Sequence, residues 1–164
     1  QKSDRRRERA EETRDQLLEA AATVFAERGY EGASVGDLAA AAGYTKGALY
    51  SNFGAKEHLF RVLARGELAA GRVVPRPGAD LPTERQALLD LEILAAAVRS
   101  RSVRRHLAPD LVDAVRAAAA TEPGRDATRE ELDAAVARFA VAVVGRLLEA
   151  ADESFAGVTE RLSR

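Results

Sequence analysis

Residues 34–53 read SVGDLAAAAGYTKGALYSNF, the spacing of two short helices joined by a tight turn. Ser34 stands at an N-cap position, with Asp37 three residues on. The first helix is expected over 35–42, with Leu38, Ala39 and Ala42 on its inner face. Small residues there let a second helix cross closely, and Gly43 supplies a turn residue that accepts positive φ. Thr45 opens the second helix, expected over 45–52, which Leu49 and Phe53 hold inward. Its other face stays polar and low: Thr45, Lys46, Gly47, Tyr50 and Ser51. A helix with such a face suits the major groove of DNA. An alanine-rich helix pair of this kind also occurs as ordinary packing, so the flanking sequence has to decide.

Outward from this stretch the pattern stays helical. Leu17, Leu18, Ala21, Val24 and Phe25 share one helical face, predicting a helix over 13–28 that Gly29 ends. Thr13 and Gln16 have capping-box spacing. Before it, residues 2–9 carry five positive and two negative charges. That cluster is either a solvated terminus extending the helix or an arm along DNA phosphates. A fourth helix is expected over 56–73, with Leu59, Phe60 and Leu63 inward. Residues 74–82, VPRPGADLP, hold three of the five prolines and mark a break. Thr83 and Gln86 have capping-box spacing at the start of a helix to Arg99. Another is expected over 102–120, with Pro109 inside it, then a loop over 121–127. Thr128 and Glu131 cap a long helix to 151, and an amphipathic piece covers 153–162. No segment has strand periodicity. The expected fold is all-α.

The 164 residues suit one domain, or a small domain joined to a larger one. Thirty-five alanines, with abundant Leu, Arg and Glu, favour helix. With no cysteine there is no disulfide framework, thiolate metal site or Cys nucleophile. His58 and His106 alone do not make a usual zinc site, and no metal is expected. No HExxH or glycine-rich phosphate loop is present, so no catalytic residues are assigned and an enzyme is not expected. No apolar run approaches ~20 residues, so no membrane span is expected, and a cytoplasmic location is the natural expectation. The net charge is −1, and residues 1–60 hold nine Lys/Arg against ten Asp/Glu. Any nucleic-acid surface must therefore be a local patch.

From Thr13 to Leu63 the chain resembles the DNA-binding domain of the TetR family of bacterial transcriptional regulators. The resemblance rests on Leu17, Ala20, Ala21, Phe25, Gly29 and Tyr30, then Ser34, Val35, Leu38, Ala39, Ala42 and Gly43. It continues through the run Thr45 to Tyr50, then Phe53, Lys56, Glu57 and Leu59. The resemblance implies a three-helix DNA-binding domain over 1–55. It also implies a helical ligand-binding and dimerisation domain over 56–164, linked through the fourth helix. It further implies a homodimer on a palindromic double-stranded operator, and a small-molecule effector that shifts DNA binding, most members being repressors. By position it assigns DNA contacts to Arg14, Ser34, Tyr44, Thr45, Lys46, Gly47, Tyr50, Ser51 and Lys56. Two departures reduce direct base readout. Ala55 stands where a capping residue is usual, and Ser51 where His is frequent. Phosphate contacts and DNA shape are therefore expected to carry much of the affinity.

Less carries over to the C-terminal half. Leu132, Val136, Phe139, Val143 and Leu147 form an apolar stripe, suited to the subunit's own core or to a partner. The resemblance favours the partner and assigns Phe139, Val143 and Leu147 to the dimer interface. Few aromatics follow Phe60, so an aliphatic or medium-sized apolar ligand is expected. Glu92, within LDLEILAAAV, is expected to be exposed or ion-paired rather than to orient a ligand, and both histidines to lie at the surface. The alternative function is a helical ligand-binding or interaction module of the same architecture that binds no specific operator. Operator binding with a steep salt dependence separates the two.

Overall fold

The structure is a computed structural model describing residues 2–74, 82–119, 128–131, 133–134, 136–137 and 141. Its six main helices are α1 (Lys2–Gly32), α2 (Val35–Ala41), α3 (Lys46–Phe53), α4 (Lys56–Ala69), α5 (Glu84–Arg99) and α6 (Arg101–Ala119). Among the described residues every regular element is a helix. The chain divides into two compact units, Gln1–Ala64 and Arg65–Arg164, so the first unit extends past the sequence boundary at residue 55. The reason is packing: Leu59, Phe60, Leu63 and Ala64 of α4 are buried with the residues of the first three helices.

The first unit is built on an aromatic centre. Phe25 and Phe60 meet edge to face at 5.0 Å, and Tyr30 lies 4.8 Å from Phe60. Leu17, Ala21, Leu38, Ala39, Leu49 and Phe53 complete the core. Leu18 is only half-buried, at the edge of the stripe. The start expected for α1 at residue 13 is corrected. The helix already runs from Lys2, through a stretch rich in Arg and Glu, which favour helix. Thr13 is therefore no cap: its hydroxyl donates back to the Arg9 carbonyl, 2.8 Å away. Gly29 interrupts α1 with φ 71° and ψ 167°, backbone that is essentially glycine's alone. That break turns Tyr30 into the core. Gly29→Ala is expected to cost about 1–3 kcal/mol of stability. Urea unfolding of the full chain measures it, and an unchanged midpoint would contradict the strain argument.

In the second unit α5 packs on α6, and Leu89, Ile93 and Ala96 of α5 and Val103 and Leu107 of α6 are buried. Thr83 caps α5, accepting from the Gln86 amide at 3.3 Å. Ser100 accepts from the Val103 amide at the start of α6, and Arg104 donates to the carbonyls of Ala97 and Val98 at the end of α5. Helix α6 runs on through Pro109. Helix α4 ends at Ala69, short of the expected residue 73, because a turn at Gly71 (φ 69°) closes it. The capping box expected at Thr128 is present: its amide and hydroxyl donate to Glu131, and the Glu131 amide donates back to its hydroxyl.

Within the second unit a polar cluster is buried. The Gln86 amide nitrogen donates to Glu67 Oε2 (2.9 Å) and Asp90 Oδ1 (2.7 Å). Arg72 binds the Glu67 carboxylate through two nitrogens. Asp90 is 1 % exposed. Burial pushes its carboxyl up to about 7, the Gln86 bond opposes this, and the Glu67 charge adds to it. Sequence reasoning fixed on Glu92, which is half-buried and partnered, and passed over Asp90. The signal was there: Asp90 sits three residues from both Ala87 and Ile93, on the buried face.

Candidate nucleic-acid interface

The helix-turn-helix forms as its sequence predicts. Ser34 Oγ accepts from the Asp37 amide (3.1 Å), and Asp37 accepts from the Ser34 amide (3.0 Å), a complete capping box. At the other end of α2, Gly43 takes φ 73°. Its amide donates to Ala40 and that of Tyr44 to Ala39, the paired bonds of a Schellman stop. The chain reverses there with the carbonyls of Ala39 and Ala40 paired. Ala39 is fully buried at the crossing, whereas Ala42, expected on the inner face, is the half-buried cap residue. Thr45 then caps α3, accepting from the Ala48 amide at 3.3 Å.

Helix α3 presents the expected face. Leu49 and Phe53 are buried, while Thr45, Lys46, Gly47, Tyr50 and Ser51 are all exposed. Tyr50 is 51 % exposed, unusual for so large a ring. Among the described residues neither the Tyr50 hydroxyl nor the Lys46 ammonium has a hydrogen-bond or ion-pair partner. A Cβ on Gly47 would meet no neighbour beyond the Thr45 hydroxyl at 3.6 Å, so backbone is open to approach. Ser51 turns its hydroxyl back to the Ala48 carbonyl at 2.9 Å. The Lys46 stem crosses α2 at Gly36, where a Cβ would come within 2.9 Å of its Cε.

The remaining sequence-assigned residues are engaged inside the protein. Ser34 donates its hydroxyl proton to Asp37 at 2.6 Å, and Arg28 pairs with Asp37 at 2.8 Å. The Ser34 hydroxyl and amide, helped by Arg28, hold the Asp37 carboxyl below its usual range. The start of α2 thus already carries a carboxylate. Lys56 donates to the carbonyls of Tyr30 (2.7 Å) and Ala33 (3.0 Å) and lies 4.5 Å over the Tyr30 ring. It closes the loop between α1 and α2. Arg14 donates to the Asn52 carbonyl at 2.8 Å and sits 4.3 Å over the Phe53 ring. The half-buried Tyr44 donates its hydroxyl to Gln16 at 2.6 Å. Sequence reasoning missed Gln16, Gly36 and Asn52, whose contacts span separate helices and leave no local spacing signal.

Phe139, Val143 and Leu147, the expected dimer contacts, lie outside the described residues, as does the piece at 153–162. Val136 of the same stripe is described and is 54 % exposed. Among the described residues no helix is long and apolar enough to cross a membrane.

With this geometry in place, residues 17–63 match the family of bacterial regulatory proteins, tetR family. Residues 17–63 are thus similar to the DNA-binding segment of the TetR family. Over 57 residues it is 49 % identical to the HTH-type transcriptional repressor AcnR of Corynebacterium glutamicum, covering 35 % of this chain and 30 % of that protein. Over 55 residues it is 47 % identical to the HTH-type transcriptional repressor KstR2 of Rhodococcus jostii, covering 34 % and 27 %. The similarity thus spans less than a third of these curated relatives' length. A crystal structure of a TetR-family transcriptional regulator from Rhodococcus sp. superposes with a TM-score of 0.57 at 26 % identity, covering 83 % of this chain and 86 % of that one. The matched residues contain α2, the turn at Gly43 and α3 whole.

Proposed function

We propose that the chain is a DNA-binding transcriptional repressor that recognises a palindromic operator as a homodimer and responds to a small-molecule effector. The observation that carries this is the outer face of α3: an exposed tyrosine hydroxyl and a lysine ammonium, both without partners among the described residues, beside an open glycine backbone. Lys46 supplies a charge for phosphate or a guanine edge, and Tyr50 a hydroxyl for phosphate. Thr45, Gly47 and Ser51 allow close approach of the backbone to the groove floor. Two copies would place two such helices one DNA turn apart, ~34–36 Å, matching the half-sites of a palindrome. The 47–49 % identity to proteins named as repressors supports the regulatory role.

The effector reading is supported by a cleft of about 240 Å³ in the second unit. Leu68, Val74, Ala114 and Ala117 give it an apolar lining, and the ion pair Arg65–Asp110 (2.9 Å) borders it. This suits a modest aliphatic ligand with one polar end.

Lys46→Ala and Tyr50→Phe test the face. Each is expected to weaken operator binding about 10-fold, on the order of 1–3 kcal/mol per lost contact, and to leave the fold unchanged. Fluorescence anisotropy on a labelled operator measures it, and parental affinity in both variants would remove the assignment. A helical module without operator binding is the second reading. It is favoured by the internal engagement of Arg14 and Lys56, which removes two cations from the expected DNA surface. Binding that does not weaken steeply with salt would support it.

A further inference from the structure

Helix α3 is eight residues long and buries only Leu49 and Phe53 fully. Helices below about 12 residues are marginal on their own. Its orientation must therefore come from what ties it to the rest of the unit, and α1 ties both of its ends. At the C-terminal end the Arg14 guanidinium donates to the Asn52 carbonyl (2.8 Å) and stacks 4.3 Å over Phe53. A cation there satisfies a terminal carbonyl and complements the helix dipole. Asn52 in turn donates its side-chain amide to the Ala48 carbonyl at 2.8 Å. At the N-terminal end the hydroxyl of Tyr44, the residue before the cap, donates to Gln16 Oε1 at 2.6 Å. Arg14 and Gln16 stand three and one residues before the buried Leu17, which places them on opposite flanks of the α1 face that packs inward.

We propose that Arg14 and Gln16 are positioning residues for the DNA-reading helix, setting its register from its two ends rather than contacting DNA themselves. The proposal rests on the DNA-binding reading for its consequence, though not for its geometry. Base-edge contacts need side chains held to about 0.5 Å, and residues behind the contacting ones supply that precision. Phosphate contacts tolerate more displacement. Loosening α3 should therefore lower discrimination between sequences more than it lowers binding to DNA in general.

The variants are Arg14→Met, which keeps a stem over Phe53 but no donor, and Gln16→Leu, which leaves the Tyr44 hydroxyl unpaired. Arg14→Lys and Gln16→Glu restore a donor and an acceptor. In the free protein, amide hydrogen exchange is expected to speed up several-fold over residues 46–53 in Arg14→Met and Gln16→Leu. It should stay parental in α4 and return towards parental in the two conservative variants. Unchanged exchange over 46–53 would overturn the proposal whether or not the chain binds DNA. On a selected operator, the two disruptive variants should lose about 10-fold in affinity while binding to unrelated duplex stays the same. The slope of log K against log salt should not move. A slope reduced by about 0.9 in Arg14→Met, with equal loss on both duplexes, would make Arg14 a phosphate contact instead and overturn its positioning role. A parent chain that selects no duplex would count against the DNA-binding reading, and the exchange measurement would still decide the positioning role.

Discussion

Phe60→Ala is expected to destabilise the first unit by about 3–5 kcal/mol, the usual cost of deleting a buried aromatic ring. The ring is fully buried and joins the two aromatic residues contributed from α1, Phe25 at 5.0 Å and Tyr30 at 4.8 Å. Its loss leaves a cavity where three elements meet: the first part of α1, the segment after the Gly29 break, and α4. Small domains are stable by only about 5–15 kcal/mol, so the change removes a large share of the total. For a unit of this size each kcal/mol moves the melting temperature by roughly 4–8 °C. A drop of at least about 12 °C in the transition reporting this unit is therefore expected, with operator binding lost alongside. A drop of a few degrees would mean that the aromatic centre is not where the unit's stability resides.

The second large effect concerns pH. Asp90 is buried beside a second carboxylate, Glu67, while the nearby guanidinium of Arg72 is held by Glu67. Its carboxyl is pushed up to about 7, against about 4 in an unfolded chain. The folded state therefore holds a proton that the unfolded state has released. The stability this gives is fully present below pH about 4 and is lost as pH rises through about 7. The whole span amounts to on the order of 4 kcal/mol. Asp90→Asn keeps an acceptor for Gln86 and has no proton to lose. Between pH 5 and 8 the parent's denaturation midpoint should fall relative to that of Asp90→Asn, most steeply below pH 7 and levelling off above it. Parallel profiles for the two proteins would show that Asp90 titrates like an exposed carboxyl and that the cluster is not buried in solution.

The local parts of this account were legible in the sequence. Ser34 with Asp37, Thr45, Thr83 and Thr128 all cap as their spacing predicts, because a cap is decided within four residues. Gly29 and Gly43 mark breaks for the same reason. Thr13 and Gln16 have the same spacing and form no cap, since the residues before them already continue the helix. What spacing did not show is where long polar side chains end up. Position alone assigns Arg14 and Lys56 to DNA, and each is drawn instead to backbone carbonyls of other segments. Those carbonyls lie 38 residues from Arg14 and 23 and 26 residues from Lys56, beyond any local pattern. Glu92 and Asp90 make the same point: both stand in one apolar run, and only the helical phase separates the half-buried acid from the buried one.

Selection from a random duplex pool tests the central claim most directly. The parent chain, washed at moderate salt, is expected to enrich a palindrome whose half-sites are about one helical turn apart. The Lys46→Ala chain, equally folded, should enrich it weakly or not at all. Enrichment of no sequence by a folded parent, or equal enrichment by both chains, would contradict the assignment of the α3 face as the surface that reads DNA.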